Sequence, residues 1–352
     1  RDDTNGREEM TVRGRLKWSA GEYWTFSLAG LYIDTNNGYD AFAIDNSLTM
    51  LSDKPGRDAQ ESVGVSLRAD VDGPNGATLT SITSVADSDI EFSYDADWGN
   101  DDAWAPVLYD YISVSDRDRR TLSQEFRLVA DSWLLGFYSL RLDDDISTLN
   151  QGEYYDPGYD FADSLDDLFI SGYEATNLAI FGQYDHAITD AATLTVGLRL
   201  ERRSTSYEDS AGLVTSPDDS LWGGEIALSF DHSEAVSSFV SFSKGYKANG
   251  FNLGLAVPEQ YRTFDSETLY NLEAGIKSSL LGRTLQFNAS VFVSRHNDAQ
   301  VRTSFQLNPG DPTSFGFVTI NVEESDALGL EADVRWLPGD NWMLYATLGL
   351  ID

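Results

Sequence analysis

The chain contains no cysteine. Disulfide bonds, thiolate metal sites and a cysteine nucleophile are thereby excluded, while the compartment stays open. No apolar run approaches the ~18 residues that a membrane-spanning helix needs. A membrane is still possible, because a spanning strand needs only ~9–11 residues and shows alternation instead of a run. Bases are scarce: 24 Lys and Arg stand against 58 Asp and Glu, a formal net charge of −34. Such a chain repels phosphate, which argues against nucleic acid as a partner. Neither an initiator Met nor a secretory signal precedes Arg1. The chain stops at Asp352, directly after a strand-like run. The expectation is an interior fragment of something longer.

Aromatics are plentiful. The 18 Phe, 17 Tyr and 8 Trp among 352 residues set this chain apart from disordered sequences of high net charge, which lack them. The stretch from Thr268 to Arg295 shows how they are arranged. Tyr270, Leu272, Ala274 and Ile276 alternate with Asn271, Glu273, Gly275 and Lys277. After a turn, Leu285, Phe287, Ala289, Val291 and Val293 alternate with Gln286, Asn288, Ser290 and Ser294, with Phe292 the one exception. Successive strand side chains point to opposite faces, so this reads as a hairpin with one apolar and one wet face.

The unit recurs along the chain. Val12 to Trp18, Trp24 to Tyr32, Val63 to Val71, Thr121 to Ala130, Trp133 to Leu142, Leu194 to Leu200, Leu328 to Trp336 and Trp342 to Leu350 repeat it. About fourteen strands result, joined alternately by short turns and long polar loops, an arrangement typical of outer-membrane barrels. The long connections are placed at 34–61, 88–119, 143–174, 202–219 and 302–325. A sandwich would mix its connections between two sheets. Trp18, Trp24, Trp133, Trp336 and Trp342 sit near the short turns, where an aromatic girdle would meet the membrane interface. The fold class expected is all-β: an antiparallel transmembrane β-barrel, present in part.

In lipid the apolar set faces acyl chains and the polar set faces the lumen. The inward set is then Arg13, Arg15, Lys17, Arg68, Asp70, Glu125, Arg127, Arg141, Arg199, Glu201, Glu273, Lys277, Glu331, Asp333 and Arg335. Mixed signs at this density suit a wall that pairs with itself and with a polar object filling the lumen. A water-filled channel with scattered charges is the alternative. Leu198→Arg should cost roughly 2–4 kcal/mol near the bilayer midplane, and Arg199→Leu much less.

Ser243-Lys244-Gly245-Tyr246-Lys247-Ala248-Asn249-Gly250-Phe251-Asn252 resembles a recurrent segment of TonB-dependent outer-membrane receptors, which usually have glycine at the place of Asn249. Tyr270-Asn271-Leu272-Glu273-Ala274-Gly275-Ile276-Lys277, Gly329-Leu330-Glu331-Ala332, Ser123-Gln124-Glu125-Phe126-Arg127-Leu128, Gly197-Leu198-Arg199-Leu200-Glu201 and Asn37-Gly38-Tyr39-Asp40-Ala41-Phe42 are similar to further pieces of that family. The likeness spans nearly the whole chain and is specific as a set. It implies a barrel of about 22 strands plugged by a globular N-terminal domain. Residues 1–352 would then be barrel alone, lacking the plug, the energy-coupling box and roughly the first three and last five strands. It also implies a Gram-negative outer membrane, lipid and lipopolysaccharide around the wall, and partnership with the plug and the TonB complex. The implied function is import of a bulky, scarce small-molecule ligand, foremost a ferric siderophore or similar iron complex. A glycan-importing receptor and a passive porin-type channel are the rival readings.

No nucleophile elbow or ordered triad points to an enzyme, and His186, His232 and His296 share no evident site. The residues placed at strand tops for ligand contact are Lys244, Tyr246, Lys247, Asn252, Tyr261, Arg262 and Arg295. No resident cofactor or metal site is expected. The one candidate is Ca²⁺ held by hard oxygens of the acidic loop Asp156-Pro157-Gly158-Tyr159-Asp160 with Asp163, Asp166 and Asp167. A solvated acidic surface accounts for the same residues.

Overall fold

The computed structural model describes residues 5–39, 42–44, 47–54, 56–73, 76–253, 257–306, 315–339 and 341–352. Asp40 and Ala41 of one family-like segment, Pro74 and Asn75 of one turn, and Asp340 of another lie outside them. The strands are β1 (Glu9–Ala20), β2 (Trp24–Gly38), β3 (Arg57–Asp72), β4 (Thr78–Asp95), β5 (Leu108–Val129), β6 (Trp133–Asp156), β7 (Phe161–Thr189), β8 (Ala192–Asp209), β9 (Val214–Thr215), β10 (Asp218–Ser233), β11 (Val236–Lys247), β12 (Gly250–Phe251), β13 (Thr263–Phe264), β14 (Glu267–Leu280), β15 (Leu285–Gln306), β16 (Phe315–Gly339) and β17 (Trp342–Ile351). One turn of helix, α1 (Asp101–Trp104), lies between β4 and β5.

Fourteen strands pair antiparallel with their neighbours in chain order, from β1 to β17. The tiny β9 pairs β8, and β12 with β13 forms a separate two-stranded ribbon. Among the described residues no second layer packs on the large sheet. The alternating apolar set is therefore not the inside of a sandwich: Leu16, Val65, Leu135 and Leu198 all stand exposed.

Register fixes the faces. Leu198 lies opposite Gly182 and Gly224, and Leu200 opposite Ile180 and Trp222. This apolar face carries Trp18, Trp24, Trp133, Trp336 and Trp342 at the short-turn end, all exposed. Trp18, Phe26 and Trp24 stack there, with centroids 5.3 and 5.8 Å apart. The apolar band ends at a belt of charge. Arg120–Asp87 (2.6 Å), Arg202–Asp218 (2.7 Å) and Arg295–Asp326 (2.7 Å) are ion pairs on it, and Arg141 bonds Asp143 and Glu174. Arg120 lies nine residues before Val129, Arg141 eight after Trp133, Arg202 ten after Ala192 and Arg295 ten after Leu285. One tilted membrane crossing takes ~9–11 residues, so the belt marks its far side.

Two sequence expectations are corrected. Arg141, expected on the polar face, pairs in register with Leu122 and Thr176 on the apolar one; its place above the lipid band lets it stay charged. The connections drawn as loops are largely strand: β6 and β7 continue to Asp156 and Phe161, so most of 143–174 is a paired ribbon. Beyond lipid both faces are wet, so alternation stops while backbone pairing goes on. Short turns close the other end. In the β14–β15 turn Leu281, Gly282 and Arg283 all have positive φ (51°, 66°, 71°), a conformation that costs glycine least.

Candidate functional site

On the polar face, charges pair two residues apart along single strands: Arg68–Asp70 (2.8 Å), Arg127–Glu125 and Arg199–Glu201 (2.6 Å). Residues i and i+2 share a face, so each strand neutralises itself. Glycines let rings lie flat across this face. A Cβ on Gly136, Gly275 or Gly329 would sit within 2.6 Å of the ring of Phe181, Phe239 or Phe292. The Phe292 that breaks its strand's alternation covers Gly329 in this way.

The densest constellation stands on β8, whose odd residues from Arg199 to Asp209 form a column on the polar face. Glu201, only 8% exposed at its side chain, accepts from Arg199, from the Tyr246 hydroxyl (2.8 Å) and from Asn177 Nδ2. Arg199 also lies over the rings of Tyr138 (5.4 Å) and Phe181 (5.7 Å). Tyr246 reaches this pair across Gly223, where a Cβ would stand 3.2 Å from its ring. Higher up, Arg203 donates to the Tyr173 hydroxyl, while its buried Nε lacks a protein partner. Asn177 Oδ1 is likewise buried and unpartnered. An unpaired buried donor and acceptor are costly, and here they sit one strand apart in register.

The segment after β11 folds back over this column. Phe251 of β12 stacks on Tyr207 at 4.4 Å and 7°. Asn252 donates to the carbonyls of Tyr261 and Thr319 and accepts from Thr319 N. Arg262, 14% exposed, stands 3.7 Å from Asp209. Burial and neighbouring Asp209 push the Tyr207 hydroxyl well above its ordinary pKa.

The expected ligand-contact residues therefore separate. Tyr246 joins the column. Asn252, Tyr261 and Arg262 belong to the docked segment, with Asn252 and Arg262 spent on anchoring it. Lys247 stands exposed opposite Glu267. Lys244 lies on the apolar face, its ammonium 2.7 Å from Trp222 O and 4.1 Å over the Trp222 ring. Arg295 shares that face, paired with Asp326. Of the residues expected to line the lumen, Arg68, Glu125, Arg127, Arg199 and Glu201 form the ion pairs above. Arg13 and Arg15 on the edge strand β1 register with Leu31 and Ala29. Glu273, Lys277 and Glu331 line a separate open groove of about 760 Å³ on the same face. Arg335 lies opposite Gln286 on that face, outside the groove.

Tyr138, Tyr173, Asn177, Arg203 and Tyr207 were missed by sequence reasoning. Asn177 and Arg203 carry a local signal, as polar members of alternating strands. The histidines are dispersed: His296 bonds Glu267 at 2.9 Å, His232 bonds Ser238, and His186 stacks on Tyr184. The acids at the β6–β7 tip are used locally. Asp156 accepts from Gly158 N (2.7 Å) and Asp166 from Gln151. Among the described residues no three His, Asp or Glu converge on a metal-sized site.

A single sheet, apolar outside and polar within, whose strands rise past a membrane-length band, defines the wall of an outer-membrane barrel. The chain belongs to the TonB-dependent receptor-like β-barrel family, whose family model matches residues 2–351. Its place is accordingly the outer membrane of a Gram-negative bacterium, and the family is one of transport receptors. The pesticin receptor of Yersinia enterocolitica is 23% identical over 205 residues, 55% of this chain and 28% of that protein. The chain thus spans little more than a quarter of that relative's length. Among solved structures it resembles the siderophore receptor PiuA of Acinetobacter baumannii (TM-score 0.68, 15% identity, 100% of this chain and 57% of that one). It also resembles the ferric yersiniabactin uptake receptor FyuA of Yersinia pestis (TM-score 0.66, 15% identity, 97% and 52%). The copper transporter OprC shares the fold as well (TM-score 0.70, 15% identity, 99% and 53%).

Proposed function

We propose that this chain is the wall and outer mouth of a receptor that captures a bulky iron complex of the siderophore type. Import is coupled to the TonB complex through a plug, and the receptor performs no covalent chemistry. The observation that carries the reading is the β8 column. A polar, aromatic surface inside a lipid-facing wall offers a ligand the part-exposed Arg199 and Arg203 among the rings of Tyr138, Tyr173 and Tyr246. Concave sites with a few convergent polar groups among rings are where small molecules bind. FyuA, a ferric yersiniabactin uptake receptor, and PiuA, a siderophore receptor, share the fold of this chain and support an iron complex.

The test is uptake of radiolabelled iron complexes by cells carrying the receptor as their sole route. Accumulation should vanish on deletion of TonB and fall on Arg203→Leu. Accumulation that persists without TonB would refute coupled import and leave a passive channel.

A further inference from the structure

Above the charged belt, the polar face of β4–β7 turns aromatic. Phe92 and Tyr94 lie opposite Ser115 and Ser113, and Tyr109 opposite Tyr154. These positions share the parity of Arg117 and Glu125, so the rings face the mouth. They form linked chains. Tyr39 meets Phe92 edge-on at 4.7 Å, and Phe42 stacks on Trp98 at 5.0 Å. Trp104 meets Tyr109 at 4.9 Å, Tyr109 meets Tyr154 at 6.1 Å, and Tyr154 meets Phe161 at 6.1 Å. Trp98, Phe42 and Phe161 are exposed.

The charge around these rings is mostly acidic, and the bases among them are paired. Asp95 and Asp97 are buried beneath them; Asp95 accepts from the amides of Asp53 and Asp97. Asp97 accepts from Trp104 Nε1 and Tyr111 N. Asp163 lies opposite Tyr154, and residues 143–174 contain no Lys or Arg. Lys54 is held by Asp110, and Arg117 and Arg119 by Asp144. Of the bases expected at strand tops, Arg262 is engaged by Asp209, Lys244 and Arg295 lie on the apolar face, and Lys247 stands exposed opposite Glu267, on strands away from this wall.

We infer that this aromatic wall selects a solute carrying positive charge, held by ring faces and carboxylates, over neutral or anionic counterparts of the same size. The inference rests on the receptor reading and narrows its substrate to a cationic complex. Ring faces attract ammonium and guanidinium groups while tolerating varied shapes. A cleft lined by one sign of charge concentrates ions of the other. An anionic iron complex would meet the same field as a barrier.

The probes are three ferric trihydroxamates on one scaffold, ending in a free ammonium, an N-acetyl or an N-succinyl group. Binding to the intact receptor in detergent is read by tryptophan fluorescence. The ammonium form should bind about tenfold tighter than the N-acetyl form at low salt, with the gap shrinking at high salt, and the N-succinyl form weakest. Tyr109→Leu with Tyr154→Leu should erase the preference, and Asp163→Asn, which leaves the rings in place, should reduce it. Equal affinities, a reversed order, or no binding of any probe overturns the inference. Equal binding accompanied by TonB-dependent uptake overturns it while leaving the receptor reading intact.

Discussion

Replacing Arg199 by Leu should destabilise the intact barrel by about 2–3 kcal/mol, and most of that loss should disappear when Glu201 is changed to Gln as well. Glu201 accepts from Arg199 at 2.6 and 2.9 Å, besides Tyr246 and Asn177. Hydrogen bonds to a charged group are worth about 1.5–3 kcal/mol. Truncating one member of a fully buried pair costs about 3–5 kcal/mol. Arg199 is 33% exposed at its side chain, and solvent screening brings the figure down from that range. Two neutral donors remain on Glu201 after the loss, which limits it further. The assay is a urea titration of the full receptor refolded into lipid vesicles, run on both single variants and the double. A coupling energy of at least about 1 kcal/mol is expected. Additivity within about 0.5 kcal/mol would show that the pair does not interact and would refute the arrangement of the β8 column. Alternation alone makes Arg199→Leu a cheap change; its partners make it comparable with a change on the lipid face.

The other expectations can be checked on the same protein. Leu198→Arg, on the apolar face six residues from Ala192, should cost about 2–4 kcal/mol in the same titration; a cost near zero would reverse the face assignment. Gly223→Ala puts a Cβ 2.9 Å from the Lys244 carbonyl and 3.2 Å from the Tyr246 ring, and should cost about 1–3 kcal/mol while weakening iron-complex binding. Phe251→Ala removes the stack on Tyr207 and should speed protease cleavage of the segment between β12 and β13 at least severalfold, with the strands themselves staying protected. Burial and Asp97 push the Asp95 carboxyl up to about 6, so the folded state binds the proton more tightly than the unfolded one. Its contribution to stability should then rise as pH falls from 6 towards 4. Urea titrations at pH 6 and pH 4 should show a smaller loss of stability on acidification than in Asp95→Asn, which lacks the proton-binding step.

The membrane-crossing part of the fold was legible because lipid imposes a period. Leu194, Val196, Leu198 and Leu200 must face outward together, and Thr195, Gly197, Arg199 and Glu201 then share the other side. Above the belt that constraint lapses. Asp143 to Asp156 pairs along its whole length with Phe161 to Glu174, yet its composition is that of a loop. The reading failed there for a physical reason: a ribbon wet on both sides has no need to alternate. Arg141 was misplaced at this boundary, where an apolar-face position becomes free to carry charge.

The site was harder to read because it is made across strands. Nothing local joins Tyr246 to Glu201, 45 residues away, or Phe251 to Tyr207. Lys244 and Tyr246 lie two apart on β11 and by parity should share a face. Their contacts divide them: Lys244 rests on Trp222 outside, while Tyr246 turns across Gly223 to the inner pair. The glycine eases this crossing, since a Cβ there would stand 3.2 Å from the ring and 2.9 Å from the Lys244 carbonyl oxygen. A basic residue in a family-like segment is therefore a weaker guide to ligand contact than the face its strand presents. On that measure the mouth above β4–β7 is aromatic and acidic, while Lys244 and Arg295 stand on the membrane-side face.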